Sequence, residues 1–588
     1  MFDPTYRPPG IYELEPELTI SQPTLRERGL VGFIGLAERG PLDVPVRIVD
    51  INQFYDIYGN LDEKSYLEPA VQAFFKNGGA ECYVLRIAHT DPRKPGEIAT
   101  LSSDRFLNAD GKPSIDVFAI NEGAWGNVVN VETFQSAQIA QTFLTLDLKK
   151  GQTSATVKST HGIARGAILR VYDEDGNEEI LEVANIEGRE VHFQPGQKAK
   201  LNHSSSAPTY LEPIEFGIRV SFLGREEIFD NVSPGPRAQN YFETVINGQS
   251  SIIYVADLNE SSPGFETIPA MDTRLQLSGG QDGLHGVSPD DFIGKNLGPG
   301  DRSGIASFEV IEDVDVLCAP DLMWAYSNST GFNSLKDIEV VQQAMVTQCE
   351  NQRDRFCILD LPDGSSPNTA LQWRQLFDTA YAAFYFPWVQ VDDGQGPLLI
   401  PPSGIVSGVY ARCDLNIGLH KAPANEELLG ALDVAISLNE TDVGVLNNHG
   451  INCIRSFNAR GIRVWGARTT SSDPMQQYIT VRRVMSAAIR TLQTDLQWVM
   501  FEPNNPALWK KILRNISYFL YTLWQNGYLK GGTPEQAFFV KCDEDNNPIE
   551  SRDRGYVVVD VGLAPVRPAE FVFFRVVQEN ELSTAGHA

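Results

Sequence analysis

Apolar and polar residues alternate near the start of the chain. Ile11, Tyr12, Leu14, Leu18 and Ile20 supply the apolar positions, and Glu13, Glu15, Glu17 and Thr19 lie between them. A two-residue period is that of a half-buried strand, and Pro16, which cannot donate to a ladder, assigns it to a sheet edge. Apolar runs at 30–37 and 83–87 predict strands on either side of a helical stretch at 69–77, which Gly78 and Gly79 stop. From about 101 to 300 the chain turns to short alternating strands separated by turn residues, and 142–210 reads as a small inserted β module. Within it, the acidic stretch 173–177 has Gly176 in the fourth position. That spacing does not fit an EF-hand loop and predicts a plain hairpin turn.

After residue 300 apolar runs at 314–319, 356–361 and 384–391 alternate with helical patterns at 334–348 and 369–380, the βαβ rhythm of a parallel sheet. Two long amphipathic helices are then predicted, at 474–500 and 506–525. In the first, Tyr478, Val481, Met485, Ala488, Leu492, Leu496 and Val499 form an apolar stripe, with Arg483 and Arg490 on the opposite side. In the second, capped by Asn505 with Pro506 in its first turn, Leu508, Trp509, Ile512, Leu513, Ile516, Phe519 and Leu520 face inward. Lys510, Lys511, Arg514, Ser517, Tyr518 and Tyr521 face out. Strands at 537–542, 556–561 and 570–577 follow, the last containing Phe571, Val572, Phe573, Phe574 and Val576.

A length of 588 residues exceeds what one hydrophobic core organises, so two or three folded units are expected. Forty-eight basic against 76 acidic residues leave a net charge of -28, which disfavours nucleic acid and anionic membranes as partners. Residues 451–530 reverse the sign, with eleven Lys or Arg against three acids, a local +8. Seven cysteines without a CxxC pair read as reduced, buried residues. No run approaches the roughly 20 apolar residues of a membrane span, and residues 1–10 lack a basic, apolar leader, so a cytoplasmic location is expected.

Ser403, in a Pro-Pro-Ser-Gly turn opening a helical stretch, occupies a place suited to a nucleophile. A triad would also need a histidine and its orienting acid, yet none lies between Asp360 and Ser403, and His285 lacks the surrounding pattern. Metalloprotease, P-loop and dinucleotide fingerprints are also missing. No catalytic, cofactor-binding or metal-binding residue is therefore assigned, and no cofactor is expected.

Several stretches in order resemble the tail sheath proteins of contractile phages and injection systems. They are Pro9-Gly10-Ile11-Tyr12, Val31-Gly32-Phe33-Ile34-Gly35 with 37–41, and the glycine turn 277–283. Residues 382–388, Pro401-Pro402-Ser403-Gly404 with Gly408, and Lys421-Ala422-Pro423-Ala424-Asn425 follow. Trp465-Gly466-Ala467-Arg468-Thr469 and Val566-Arg567-Pro568-Ala569-Glu570-Phe571 complete the series. The resemblance spans 1–88 and 218–577. It implies an α/β multi-domain fold: a mixed sheath core from the N- and C-terminal regions, a subtilisin-like α/β middle domain and the β module as an outward insertion. The corresponding divisions are an exchange arm at 1–25, core at 26–110, an outer region at 111–300, the middle domain at 301–455 and a C-terminal core domain at 456–588.

The function implied is that of a structural, non-enzymatic subunit that polymerises helically around an inner tube and contracts. Its partners would be further copies of itself, the inner tube protein, and baseplate and terminator or cap proteins, without nucleic acid or direct membrane insertion. The strands holding Ile11, Tyr12, Leu14, Leu18 and Ile20, and Phe571 to Val576, are expected to link subunits by adding to a neighbour's sheet. The local +8 suggests that Arg483, Arg490, Lys510, Lys511 and Arg514 face an acidic tube. A soluble host- or carbohydrate-binding module and a subtilisin-fold hydrolase are the competing readings.

Overall fold

A computed structural model describes residues 30–570, apart from 62–64, 94–95, 137–139, 259–267 and 395. Its centre is an eight-stranded sheet in the order Val46–Ile48, Cys82–Arg86, Leu30–Gly35, Val314–Cys318, Phe356–Leu359, Ala382–Phe386, Ile451–Phe457, Gly461–Trp465. The six inner strands are parallel and the two edge strands antiparallel. A parallel sheet is covered on both faces, which is why its strands are continuous apolar runs: all six residues of Leu30–Gly35 and all five of Ala382–Phe386 are buried. Successive side chains point to opposite faces, so Leu317, Cys357 and Phe384 join one core while Val316, Ile358 and Tyr385 join the other.

Helix Leu335–Gln352 lies over the first core, and helices Leu67–Lys76 and Ser403–Asn416 over the second. These last two approach closely where Gly404 and Gly408 leave room. A Cβ on Gly404 would stand 2.4 Å from the Ala70 Cβ, and one on Gly408 would stand 2.6 Å from the Phe74 carbonyl oxygen.

This sheet changes the expected division of the chain. The strands of the 26–110 segment do not form a separate core with 456–588. Leu30–Gly35 pairs directly with Val314–Cys318, Phe33 standing opposite Cys318, because its fully apolar sequence requires cover on both faces. The boundary at 455 also falls inside the edge hairpin, in which Arg455 is paired with Arg463.

Between these parts, a three-stranded and a four-stranded sheet share a core that includes Phe106, Val117, Val131, Ile218 and Phe242. The expected β module is a six-stranded sheet reaching from Thr142–Phe143 to Thr209–Pro213, with its own core around Leu144, Val171, Leu181, Val191 and Leu211. Its acidic stretch closes a hairpin, where the Asp173 carboxylate accepts the backbone N–H of Asp175 at 3.1 Å and of Asn177 at 2.9 Å. Arg86, fully buried, donates to the carbonyls of Ala37, Gly40 and Glu122, and so ties the central sheet to this outer part.

The C-terminal part consists of helices Ile479–Asp495 and Pro506–Gln525 and the hairpin Phe538–Lys541 with Asp560–Leu563, around Ala488, Trp509, Ile512, Ile516 and Phe519. The first helix starts five residues later than periodicity predicts, and the strand expected at 556–561 is displaced to Asp560–Leu563.

Candidate functional site

The second long helix matches its sequence pattern. Asn505 Oδ1 accepts the backbone N–H of Ala507 at 2.9 Å and of Leu508 at 3.0 Å, satisfying donors that the first turn leaves open. Leu508, Trp509, Ile512, Ile516, Phe519, Leu520 and Leu523 are buried, while Lys510, Lys511, Arg514, Tyr518 and Tyr521 are exposed. Among the described residues none of the three cations has an ion-pair partner. Leu513, expected inside, is 37% exposed.

The first long helix corrects the reading of Arg483 and Arg490, which are not part of a basic surface. Both are buried. Arg483 donates to Asp414 Oδ1 at 2.9 Å and lies over the Tyr410 ring. Arg490 donates to the carbonyls of Val314 at 2.9 Å and Asp354 at 2.7 Å and pairs with Asp315. The buried side of the helix is largely its polar one: Val484 and Ala488 join the core around the second long helix, the arginines reach the central sheet and helix Ser403–Asn416, and Val481 and Met485 of the expected apolar stripe are only half-buried. Burial opposes the charge on Arg483, yet Asp414 raises its pKa overall. Burial likewise pushes Asp315 up to about 6, although Arg490 and Arg483 act against it. These arginines fasten the C-terminal part to the sheet.

Three motifs more than 30 residues apart in the chain converge on one groove of about 790 Å³. It is lined by Lys421, Asn425, Trp465, Ala467, Val566 and Glu570 among others. Arg468 donates from Nε to Glu570 Oε1 at 3.0 Å, Tyr478 donates its hydroxyl to Glu570 Oε2 at 3.3 Å, and Arg468 also donates to the Asn447 carbonyl. The bond to Glu570 raises the Arg468 pKa. Backbone bonds from Val566 to Tyr528 and from Lys530 to Ala564 hold the segment leading to this point. Spacing along the chain carries no sign that these motifs share a site. The strand residues Phe571, Val572, Phe573, Phe574 and Val576, and Ile11, Tyr12, Leu14, Leu18 and Ile20, lie outside the described residues.

Ser403 has a structural partner. Its backbone N–H donates to Asp360 Oδ1 at 2.9 Å and its hydroxyl to Asp360 Oδ2 at 2.5 Å, both residues being buried at the start of helix Ser403–Asn416. Burial pushes Asp360 up to about 7, and the Ser403 bonds act in the opposite direction. His285, the candidate triad histidine, instead has its Nδ1 3.2 Å from the Asn328 carbonyl oxygen. Among the described residues no cluster of His, Cys, Asp and Glu could hold a metal ion, and no helix is long and apolar enough to cross a membrane.

Residues 313–470 match the phage tail sheath protein central domain, and residues 471–579 match the phage tail sheath C-terminal domain. These two adjoining matches are domains of the phage tail sheath family. Within that family the chain is similar to the tail sheath protein of Escherichia phage P2, 26% identical over 174 residues, which cover 29% of this chain and 42% of that protein. It is also similar to the tail sheath protein of Salmonella phage ViI, 24% identical over 376 residues, which cover 61% of this chain and 53% of that protein. The chain thus spans about half the length of these two curated relatives. In fold it is similar to the contracted helical sheath of the anti-feeding prophage, with a TM-score of 0.51 and 19% identity over 97% of this chain and 99% of that one.

Proposed function

We propose that the chain is the structural subunit of a contractile sheath, polymerising helically around an inner tube and contracting to drive that tube through a target envelope. The observation that carries this reading is the fold likeness to a contracted helical sheath over nearly the full length of both chains. The central sheet with its helical cover is then the α/β layer for which a subtilisin-like topology is expected, and the β module the outward insertion.

Subunits that join through two different patches make heterologous contacts, and a rotation that does not close yields an open helix. Contraction needs two packings of one array, the extended one held until a baseplate releases it, with the energy coming from tighter lateral packing in the contracted lattice. The terminal strands before residue 30 and after Glu570 would link neighbours by strand addition, which leaves the bodies free to rotate. Arg468 and Tyr478 support this reading by holding Glu570, which immediately precedes those residues. Lys510, Lys511 and Arg514 form the surface proposed to grip an acidic tube. The baseplate and a terminal cap would be the remaining partners.

Purified chain expressed alone should form long tubular particles, visible by negative-stain electron microscopy and pelleting in the ultracentrifuge. A monomer that persists at high concentration in light scattering would rule the reading out.

A further inference from the structure

A recess of about 320 Å³ lies between the first turns of helix Ile479–Asp495, the loop before that helix and residues 563–567. Its walls are mostly apolar, supplied by Met475, Val481, Met485, Leu563 and Pro565. Its charged groups are Arg482, Lys530 and Arg567, and among the described residues no acid lines it. The Lys530 backbone N–H donates to the Ala564 carbonyl at 2.8 Å, which sets Lys530 beside the 563–567 segment. In a chain of net charge -28, none of these three cations has an ion-pair partner among the described residues. Arg567 donates instead to the Met475 sulfur at 3.3 Å, a weak acceptor.

Arg482 is the most constrained of the three. Its Nε and Nη2 are shielded from water and have no acceptor among the described residues, and its guanidinium carbon lies 4.5 Å from the centre of the Tyr381 ring. Burial lowers its pKa, Tyr381 acts in the other direction, and Arg353 lowers it again. The acids nearest along the chain are engaged elsewhere: Asp473 accepts the Met475 backbone N–H at 2.8 Å, and Glu570 is held by Arg468. A shielded guanidinium without a counter-charge is costly, and native buried donors are satisfied by protein, water or ligand. Apolar walls around a few polar groups, in a volume of about 300 Å³ or more, are the anatomy of a small-molecule site.

We propose that this recess binds a small phosphate monoester with an apolar body. A phosphate monoester carries close to two negative charges at neutral pH and three acceptor oxygens, which answers three unpaired cations better than a single carboxylate does. The planar fork of Arg482 suits that head, and the flexible, polarizable side chains of Met475 and Met485 adapt to the body. The occupant bridges the first long helix to the segment that leads to Glu570. This site is independent of how subunits assemble.

The test is equilibrium dialysis of the full-length chain against 1-naphthyl phosphate, which reads tubes and monomers alike. One saturable site per chain is expected, with inorganic phosphate binding about tenfold more weakly because it leaves the apolar walls uncovered. Lys530→Gln combined with Arg567→Gln, two exposed positions, should fold as the parent does and weaken binding about tenfold. Arg482→Gln should weaken it at least as much, and the double variant keeps the test decisive should that protein fail to fold. Lys336→Gln, at an exposed cation outside the recess, should bind as the parent does. No saturable binding at millimolar concentrations, equal affinity for inorganic phosphate, or parental affinity in the double variant would overturn the proposal.

Discussion

Arg468 and Glu570, 102 residues apart in the chain, meet through two charge-assisted hydrogen bonds, one of them 3.0 Å long, with both side chains largely shielded from water. The pair lies at the groove in which the family motifs converge and holds Glu570, the last described residue, against the body. Arg468→Ala should loosen that point by about 1–2 kcal/mol, leaving the Glu570 carboxylate half-satisfied. Proteolytic release of the residues beyond Glu570 should accelerate about tenfold while global unfolding changes little. An unchanged cleavage rate would show that the segment is held by other contacts.

Arg483 and Asp414 make a pair with side chains 4% and 2% exposed. Removing one partner strands a buried charge, so Arg483→Ala should cost about 3–5 kcal/mol in urea unfolding. Arg483→Met combined with Asp414→Leu should recover much of that loss, because two apolar groups leave no charge to solvate. Lys510→Ala, on the exposed helix face, should stay within about 0.5 kcal/mol of the parent. Equal losses at positions 483 and 510 would contradict the division between fastener and surface.

Replacing Lys510, Lys511 and Arg514 together by Glu should leave polymerisation intact but yield empty, contracted tubes. Hydrated charge pairs contribute at most about 1 kcal/mol each, yet they repeat at every subunit of the lattice. Electron micrographs of the variant co-expressed with tube protein provide the readout, and normal extended particles would mean that another face grips the tube.

Asp360 links stability to pH. Burial raises its folded pKa from an ordinary 3.8 to about 7, so the protonated form is the one that folding favours. Its stabilising contribution is complete below about pH 4 and is lost as pH rises through 7. The stability of the parent relative to Asp360→Asn should therefore decline between pH 4 and 7, by up to about 4 kcal/mol, and level off above that. A difference independent of pH would show that Asp360 ionises in the folded protein as it does in water.

The β module should be dispensable. Gln135 and Phe216 stand opposite each other in adjacent antiparallel strands, so the chain on either side of the module is already in hairpin register. Replacing the residues between them by a two-residue Asn-Gly turn should give a protein with an intact circular dichroism spectrum that still forms tubes. Folded but unassembled protein would place the module in the lattice.

Local pattern alone specifies those elements whose two faces meet different surroundings. Helix Pro506–Gln525 has one side in a core and the other exposed, so its 3.6-residue period, its cap and its outward cations are all legible. The alternating strands of the β module, with a core of their own, are legible for the same reason. Helix Ile479–Asp495 defeats the same reasoning because its polar side is buried: its arginines have the spacing of a surface, while Asp414 and Asp315 lie across the packing layer to meet them. Periodicity reports which residues share a face, not what covers it. The same limit hides the entry of Leu30–Gly35 into a sheet continued almost 300 residues later, and the meeting of Arg468 with Glu570. Those pairings depend on contacts between distant segments, whose free energy is realised only when the whole chain has closed around them.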